Sequence, residues 1–219
     1  MDNVILTLVV YALPVIFAIT LHEAAHGYAA RHFGDMTAAN LGRISLNPAR
    51  HIDPVGTLLV PVLILAVSNV TMGQGILFGW AKPVPVNFSR CRNPRQDMLW
   101  IAGAGPGANL LMALAWGLAL KASLLFPEMP FAKALAEMGR AGLLVNASLM
   151  LLNLLPILPL DGGRMLVSVL PQRLAWSFAR LEPYGLWIIL ILLATHILDV
   201  LLRPLMGGFL RLLKAIYGF

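Results

Sequence analysis

Charge is what this chain has least of. Asp, Glu, Lys and Arg make up 12% of its 219 residues, against about 25% in a typical soluble domain. With 59% hydrophobic residues, too little polar surface exists to cover a water-soluble fold, so the composition specifies an integral membrane protein. Cysteine is nearly absent: Cys91 alone excludes an internal disulfide and a cysteine-based metal site, and it reads as a free thiol in a loop. Histidine is scarce, with five in the chain. No repeat, low-complexity tract or soluble domain stands out. No basic run with interleaved aromatics points to nucleic acid, so the net charge of +6 reads as cytoplasmic loops and anionic lipid contact. The start of the chain has no basic leader and no small-residue cleavage site, and its first apolar run reads as a retained span.

What is there is a set of apolar runs with a few polar interruptions. The first, Val4 to Leu21, reads VILTLVVYALPVIFAITL and ends in His22-Glu23-Ala24-Ala25-His26. Val4 to His22 covers roughly 27 Å as a helix, close to the hydrocarbon thickness of a bilayer. Residues i and i+4 share a helix face, so His22 and His26 can present two imidazoles to one Zn²⁺. Glu23 stands where a carboxylate can take a proton from a water. Such residues at the end of an apolar run are costly unless they have a role.

The remaining pattern gives the fold class: an all-α polytopic membrane protein of about five to six membrane helices, with a small β-element and one re-entrant or non-crossing segment. The chain 1–219 reads as a single membrane-embedded domain. Core helices are expected at about 4–33, 98–125 and 141–160, and C-terminal helices at about 184–217. Residues 34–53 are rich in turn formers and suggest turns and a short hairpin. His51 lies there, read as a hydrogen-bonded loop histidine with a metal role as the alternative. Residues 54–72 are short for a span and interrupted by Pro61. Residues 73–97, dense in Gly and Pro, read as extended. AGAGPGAN at 102–109 puts small residues and Asn109 into an apolar helix, where Gly105-Pro106 is either a kink or part of a site. Pro156, Pro159, Gly162 and Gly163 break a helix around Asp161, and a lone carboxylate in such surroundings calls for a metal or a cation. His196 and Asp199 read as a pair bonded to the bundle or facing water.

Topology tests whether the halves of a site can meet. Met1-Asp2-Asn3 has no Lys or Arg, whereas Arg31, Arg43 and Arg50 follow the first span. The N-terminus is therefore expected outside and the His-Glu motif toward the cytoplasm. A full crossing by 54–72 would put Asp161 on the opposite face from the histidines. A re-entrant or packed 54–72 brings Asp161 to them and leaves Lys82 to Arg95 inside. Two His and one carboxylate leave Zn²⁺ an open position for water. Asn153 is then either an amide that stabilises an oxyanion or a helix–helix hydrogen bond.

HEAAHGYAA at 22–30, FGWAKPVPVN at 78–87, AGPGAN at 104–109 and NLLPILPLDGGR at 153–164 together resemble the site-2 protease family of intramembrane zinc metalloproteases. The nearest resemblance is to its compact bacterial members without a PDZ domain, and it covers most of the chain. It implies that His22, His26 and Asp161 hold one Zn²⁺, that Glu23 is the catalytic base, and that Asn153 contacts the substrate backbone or oxyanion. It also implies regulated intramembrane proteolysis in the cell membrane, the substrates being transmembrane proteins. FGWAKPVPVN would offer them an extended edge. The chain departs from some relatives in the extra stretch 54–72, in having no helix before the HExxH helix, and in having no regulatory domain. A membrane metal-ion carrier and an inactive scaffold are the competing readings. A carrier needs ligands along a path, whereas these converge beside a Glu; the intact HExxH and Asp-Gly speak against loss of activity. Oligomeric state is not specified.

Overall fold

A computed structural model of the chain describes residues 4–60, 63 and 81–218. Among the described residues the regular elements are all helical. Helix α1 is Val4–His32 and α2 the single turn Thr37–Asn40. Helices α3 (Pro94–Leu125) and α4 (Ala132–Asn153) form the long antiparallel pair. The short helices α5 (Asp161–Val169), α6 (Gln172–Ala179) and α7 (Gly185–Ala194) follow, and α8 (Ile197–Tyr217) ends the described chain.

Three stretches among the described residues are long and apolar enough to cross a membrane: Pro94–Leu125, Ala132–Asn153 and Gln172–Ala194. The chain is a membrane protein. Three is fewer than the five to six spans expected, and part of the difference is physical. The stretch Gln172–Ala194 joins α6 to α7 through a tightened turn at Glu182–Tyr184, and α7 alone rises about 15 Å, half the hydrocarbon thickness. The C-terminal region also breaks at His196, whose φ of +58° starts α8 anew, and Asp199, Arg203, Arg211 and Lys214 interrupt the apolar run of α8.

Helices α1, α3 and α4 pack closely because their facing residues are small. Along α3, Ala102, Pro106, Asn109, Ala113, Gly117 and Leu120 are buried at three- and four-residue steps, a single helix stripe. On α1, Pro14 and Ala18 are buried one turn apart, with Ala24 and Ala30 buried farther along, and Gly139 of α4 lies against Leu120. Without a hydrophobic force between apolar helices in lipid, such close backbone approach is what holds them together. The observed starts precede those read from the sequence, and α4 ends at Asn153, short of the expected 160. Helix α3 begins at Pro94, not 98, because proline suits a first helical position and the Asp97 carboxylate accepts from the Asn93 N–H at 2.7 Å. Helix α4 begins at Ala132, nine residues before the expected start at 141, because Lys133, Glu137 and Arg140 belong to its first turns and not to a linker.

The chain leaves α1 and enters α3 at one place. Arg92 N–H donates to Phe33 O at 3.0 Å, and buried Cys91 packs against Ala30 and Ile101. Cys91 is free; burial pushes its thiol up, with Asp35 and Asp97 adding to the effect. Residues 34–93 therefore start and finish on one face of the bundle.

The small β-element is not found among the described residues. Residues 34–53 turn through Gly34 and Gly42, at φ of +107° and +61°, with one helical turn and a 3₁₀ turn at Pro48–Arg50 instead of a hairpin. Residues 81–87 are extended but unpaired as a strand, since Pro83 and Pro85 remove two ladder donors. Pro54–Leu59 starts the doubtful segment as a π-helical turn, with the Asp53 carboxylate accepting from Val55 N and Gly56 N. The rest of 54–72, apart from Val60 and Leu63, and Phe78 to Trp80 of the FGWAKP stretch lie outside the described residues.

Candidate metal centre

His22 and His26 stand one turn apart on α1 with ring centroids 4.8 Å apart. Their Nε2 atoms are 3.1 Å from each other. Asp161, the first residue of α5, brings Oδ2 to 3.2 Å from His22 Nε2 and 3.4 Å from His26 Nε2. More than 130 residues of chain separate these groups, yet among the described residues they are the one cluster of its kind able to hold an ion.

The hydrogen bonds behind the rings set the chemistry in front of them. His22 Nδ1 faces Asn109 Oδ1 at 2.5 Å, and His26 Nδ1 faces Ile101 O at 2.7 Å. Both partners are acceptors, so each Nδ1 carries the proton and each neutral ring turns a bare Nε2 lone pair to the centre. Asp161 Oδ2 is buried there without a hydrogen-bond partner. With both rings neutral, three lone pairs converge here, an arrangement that repels unless a cation fills it. The spacing suits zinc: donors about 2.05 Å from a tetrahedral centre lie roughly 3.3 Å apart, and the observed separations run from 3.1 to 3.4 Å.

Glycines make the convergence possible. A Cβ on Gly105 would lie 2.6 Å from His22 Nε2 and Cε1 and closer still to His26 Nε2. The AGPGAN stretch is therefore the floor of the centre as well as a helix contact. After α4 ends, Pro156 and the cis Leu158–Pro159 peptide turn the chain. Gly162 then sits against the Leu154 and Leu155 carbonyls, where any side chain would collide. Arg95 closes the far end of α5 by donating to Ser168 O at 2.7 Å and to Leu170 O.

Glu23 follows His22 directly, and its Oε2 accepts from Val84 N–H at 2.8 Å. The extended segment that supplies this donor is itself fastened. Lys82 N–H donates to His51 O at 2.9 Å. The Arg43 guanidinium donates to Lys82 O and Pro83 O at 3.2 and 3.3 Å. Asn87 N–H donates to the Asp35 carboxylate at 2.7 Å. Sequence reasoning did not find Val84, because its contribution is a backbone N–H that almost any residue carries; the flanking Pro83 and Pro85 were the available signal.

Comparison with known proteins now bears on this geometry. The chain is 33% identical to a Bacillus subtilis protein named "Putative zinc metalloprotease YwhC", over 93% of this chain and 90% of that one. The chain belongs to that zinc metalloprotease family. It is 29% identical to "Putative zinc metalloprotease Rip2" of Mycolicibacterium smegmatis over 84% of this chain, and 29% identical to the Mycobacterium tuberculosis protein of the same name over 80%. It spans 66% and 62% of those two longer proteins. No family model matches, and no solved structure does.

Within a zinc metalloprotease family the other histidines need a separate account, and the structure gives one for two of them. His51 is buried, with its Nε2 2.8 Å from Ser45 O, a loop histidine away from the cluster. His196 pairs with Asp199 at 3.0 Å, and both are exposed. Asn153 is the last residue of α4, and its amide donates to Leu149 O one turn back at 3.0 Å. That bond is to its own helix.

Proposed function

We propose that this chain is an intramembrane zinc endopeptidase of the site-2 type, hydrolysing peptide bonds in or near the transmembrane segments of membrane-protein substrates. The observation that carries the reading is the set of three converging lone pairs, His22 Nε2, His26 Nε2 and Asp161 Oδ2, with Glu23 beside them. A carrier reading draws no support from the described residues, where no second group of ligands continues a path from this one.

His22, His26 and Asp161 would hold the ion. Bound there, Zn²⁺ supplies Lewis-acid polarisation of a carbonyl and acidifies a water. Glu23 is the general base, taking the proton of the attacking water and passing it to the leaving amine. The Val84 N–H fixes one oxygen of that carboxylate and so limits the directions in which it can accept. Asn153 has a second amide N–H beyond the one bound to Leu149 O, and this is the group for a substrate carbonyl or oxyanion. His26 is six residues from the end of α1, so the centre lies about 9 Å along the helix from that end. The N-terminus is outside and the centre on the cytoplasmic side of the cell membrane, in one domain over 1–219 that acts within regulated intramembrane proteolysis.

Cleavage of a model transmembrane peptide by purified protein tests the reading. Wild type should cleave and Glu23→Gln should not, losing at least about 10²-fold as expected for a positioned acid–base group, while both hold the same amount of zinc. Equal cleavage by the two proteins removes the hydrolase assignment.

A further inference from the structure

Asn146 touches neither the histidines nor the carboxylate, yet the metal centre depends on which way it points. It lies on α4, is fully buried, and faces Asn109 of α3, also fully buried. Asn146 Nδ2 donates to Gly142 O at 2.8 Å. Its Oδ1 accepts from Asn109 Nδ2 at 2.9 Å, and Asn109 Nδ2 also donates to Ala18 O at 3.2 Å. Asn109 Oδ1 then accepts from His22 Nδ1 at 2.5 Å.

This chain of bonds has a direction. An Asn amide can in principle rotate by half a turn and exchange its oxygen for its NH₂ group. If Asn109 did so, its oxygen would meet two acceptors, Ala18 O and Asn146 Oδ1, inside an apolar bundle. Its NH₂ would face His22 Nδ1 and oblige that atom to accept. The ring would then carry its proton on Nε2, and no lone pair would point at the ion. Asn146 could flip in turn to accommodate Asn109, except that Gly142 O accepts only and fixes its NH₂ end. Two helix carbonyls, Gly142 O and Ala18 O, therefore set the polarity of the whole relay, and Asn146 carries that polarity from α4 to α3.

We infer that Asn146 is a positioning residue for the metal centre: acting through Asn109, it fixes the His22 tautomer that can bind an ion. The inference rests on the zinc-site reading above. Partners behind a metal-ligating histidine typically change metal affinity 10- to 100-fold when removed, and here the removable partner stands one residue further back.

The test is zinc affinity of the purified full chain, measured by competition with a chromophoric chelator. Thr and Val are nearly isosteric and differ by a hydroxyl. Threonine at this position can donate to the carbonyl four residues back and still accept from Asn109, whereas valine does neither. Asn146→Val should weaken zinc binding about 10-fold or more, and Asn146→Thr should restore most of it. In an Asn109→Leu background the link to His22 Nδ1 is already gone and no orientation remains to be transmitted, so Asn146→Val should then change affinity by less than about 2-fold, the two effects being non-additive. Equal affinity for the Thr and Val variants, or equal losses in both backgrounds, overturns the relay and leaves Asn146 a packing residue. A wild-type chain that takes up no zinc overturns the site reading itself, a result distinct from either of these.

Discussion

Gly105 contributes no atoms beyond the backbone, and the metal centre depends on that. The two imidazoles lie where its Cβ would be, and neither ring is free to swing aside, since Asn109 and Ile101 O hold them from behind. Gly105→Ala should lower zinc affinity about 10- to 100-fold, the range for disturbing a ligand's support, with the bundle still folded. Gly107→Ala is the control: nothing lies within 4 Å of its Cβ position, so it should bind zinc as wild type does. Chelator competition on both proteins checks this, and equal affinity for the two would show that the histidines have room to spare. The contrast also marks what was legible in the sequence at this scale. His22, Glu23, His26 and Asp161 were readable because polar groups in an apolar run are costly and so conspicuous. Gly105 stayed open between a kink and a site residue, because a glycine's contribution is an absence that becomes visible only when the neighbour is known. Asn109 was visible as a polar group, but its orientation depends on Asn146, a partner on another helix.

Among the elements, the stretch 78–87 was read as an edge for substrate, and in its described part, 81–87, three of the five backbone N–H groups are already engaged. Lys82, Val84 and Asn87 spend their N–H groups on His51 O, Glu23 and Asp35, and the two prolines have none. The segment is a tether for Glu23, anchored at its far end by Asp35. Burial pushes the Asp35 carboxyl up, but the Thr37 hydroxyl at 2.5 Å, the Asn87 and Thr37 N–H groups and the Arg90 charge more than offset this and hold it below its ordinary 3.8. A lowered carboxylate contributes stability that is full above the unfolded pKa and is lost as pH falls through the lower folded one. The anchor should therefore be intact at neutral pH and release only in acid, below about pH 4. Asp35→Asn would turn an NH₂ toward the Asn87 or Thr37 N–H, and should cost about 1–3 kcal/mol of stability at pH 7 while flattening that acid-side decline. Thermal unfolding in detergent across pH 3–7 measures both; an Asn variant as stable as wild type would show that the anchor is not needed. The helices themselves were legible from their apolar runs. Their ends were not, because charged residues such as Arg95, Asp97 and Lys133 read as loop in a sequence but serve as first-turn residues in the fold.

For the whole molecule, the direction of each helix follows from contacts at known heights. His26 meets Ile101, while His22 and Ala18 meet Asn109, so α3 runs opposite to α1. Asn109 meets Asn146 and Leu120 meets Gly139, so α4 runs opposite to α3 and parallel to α1. Both α1 and α4 thus approach the centre from the same side, which is what lets Asp161 reach the histidines. Since Arg92 also closes on Phe33, residues 34–93 make no net passage from one face to the other, whatever path 64–80 takes. The charges differ between the two ends: Arg31, Arg43, Arg92 and Arg95 gather at the α1–α3 face, whereas around the α3–α4 turn Lys121, Lys133 and Arg140 are nearly balanced by Glu128 and Glu137. In the orientation proposed above, the excess of Lys and Arg puts the first face in the cytoplasm. A fluorescent reporter that matures only in the cytoplasm should therefore be bright when fused after Arg92 and dark when fused after Glu128. A phosphatase active only outside should give the reverse. The pairing of the two sites is the informative part. Like signals at Arg92 and Glu128 would deny that α3 crosses, and an inverted pair would keep the helix directions while placing the centre on the outer side.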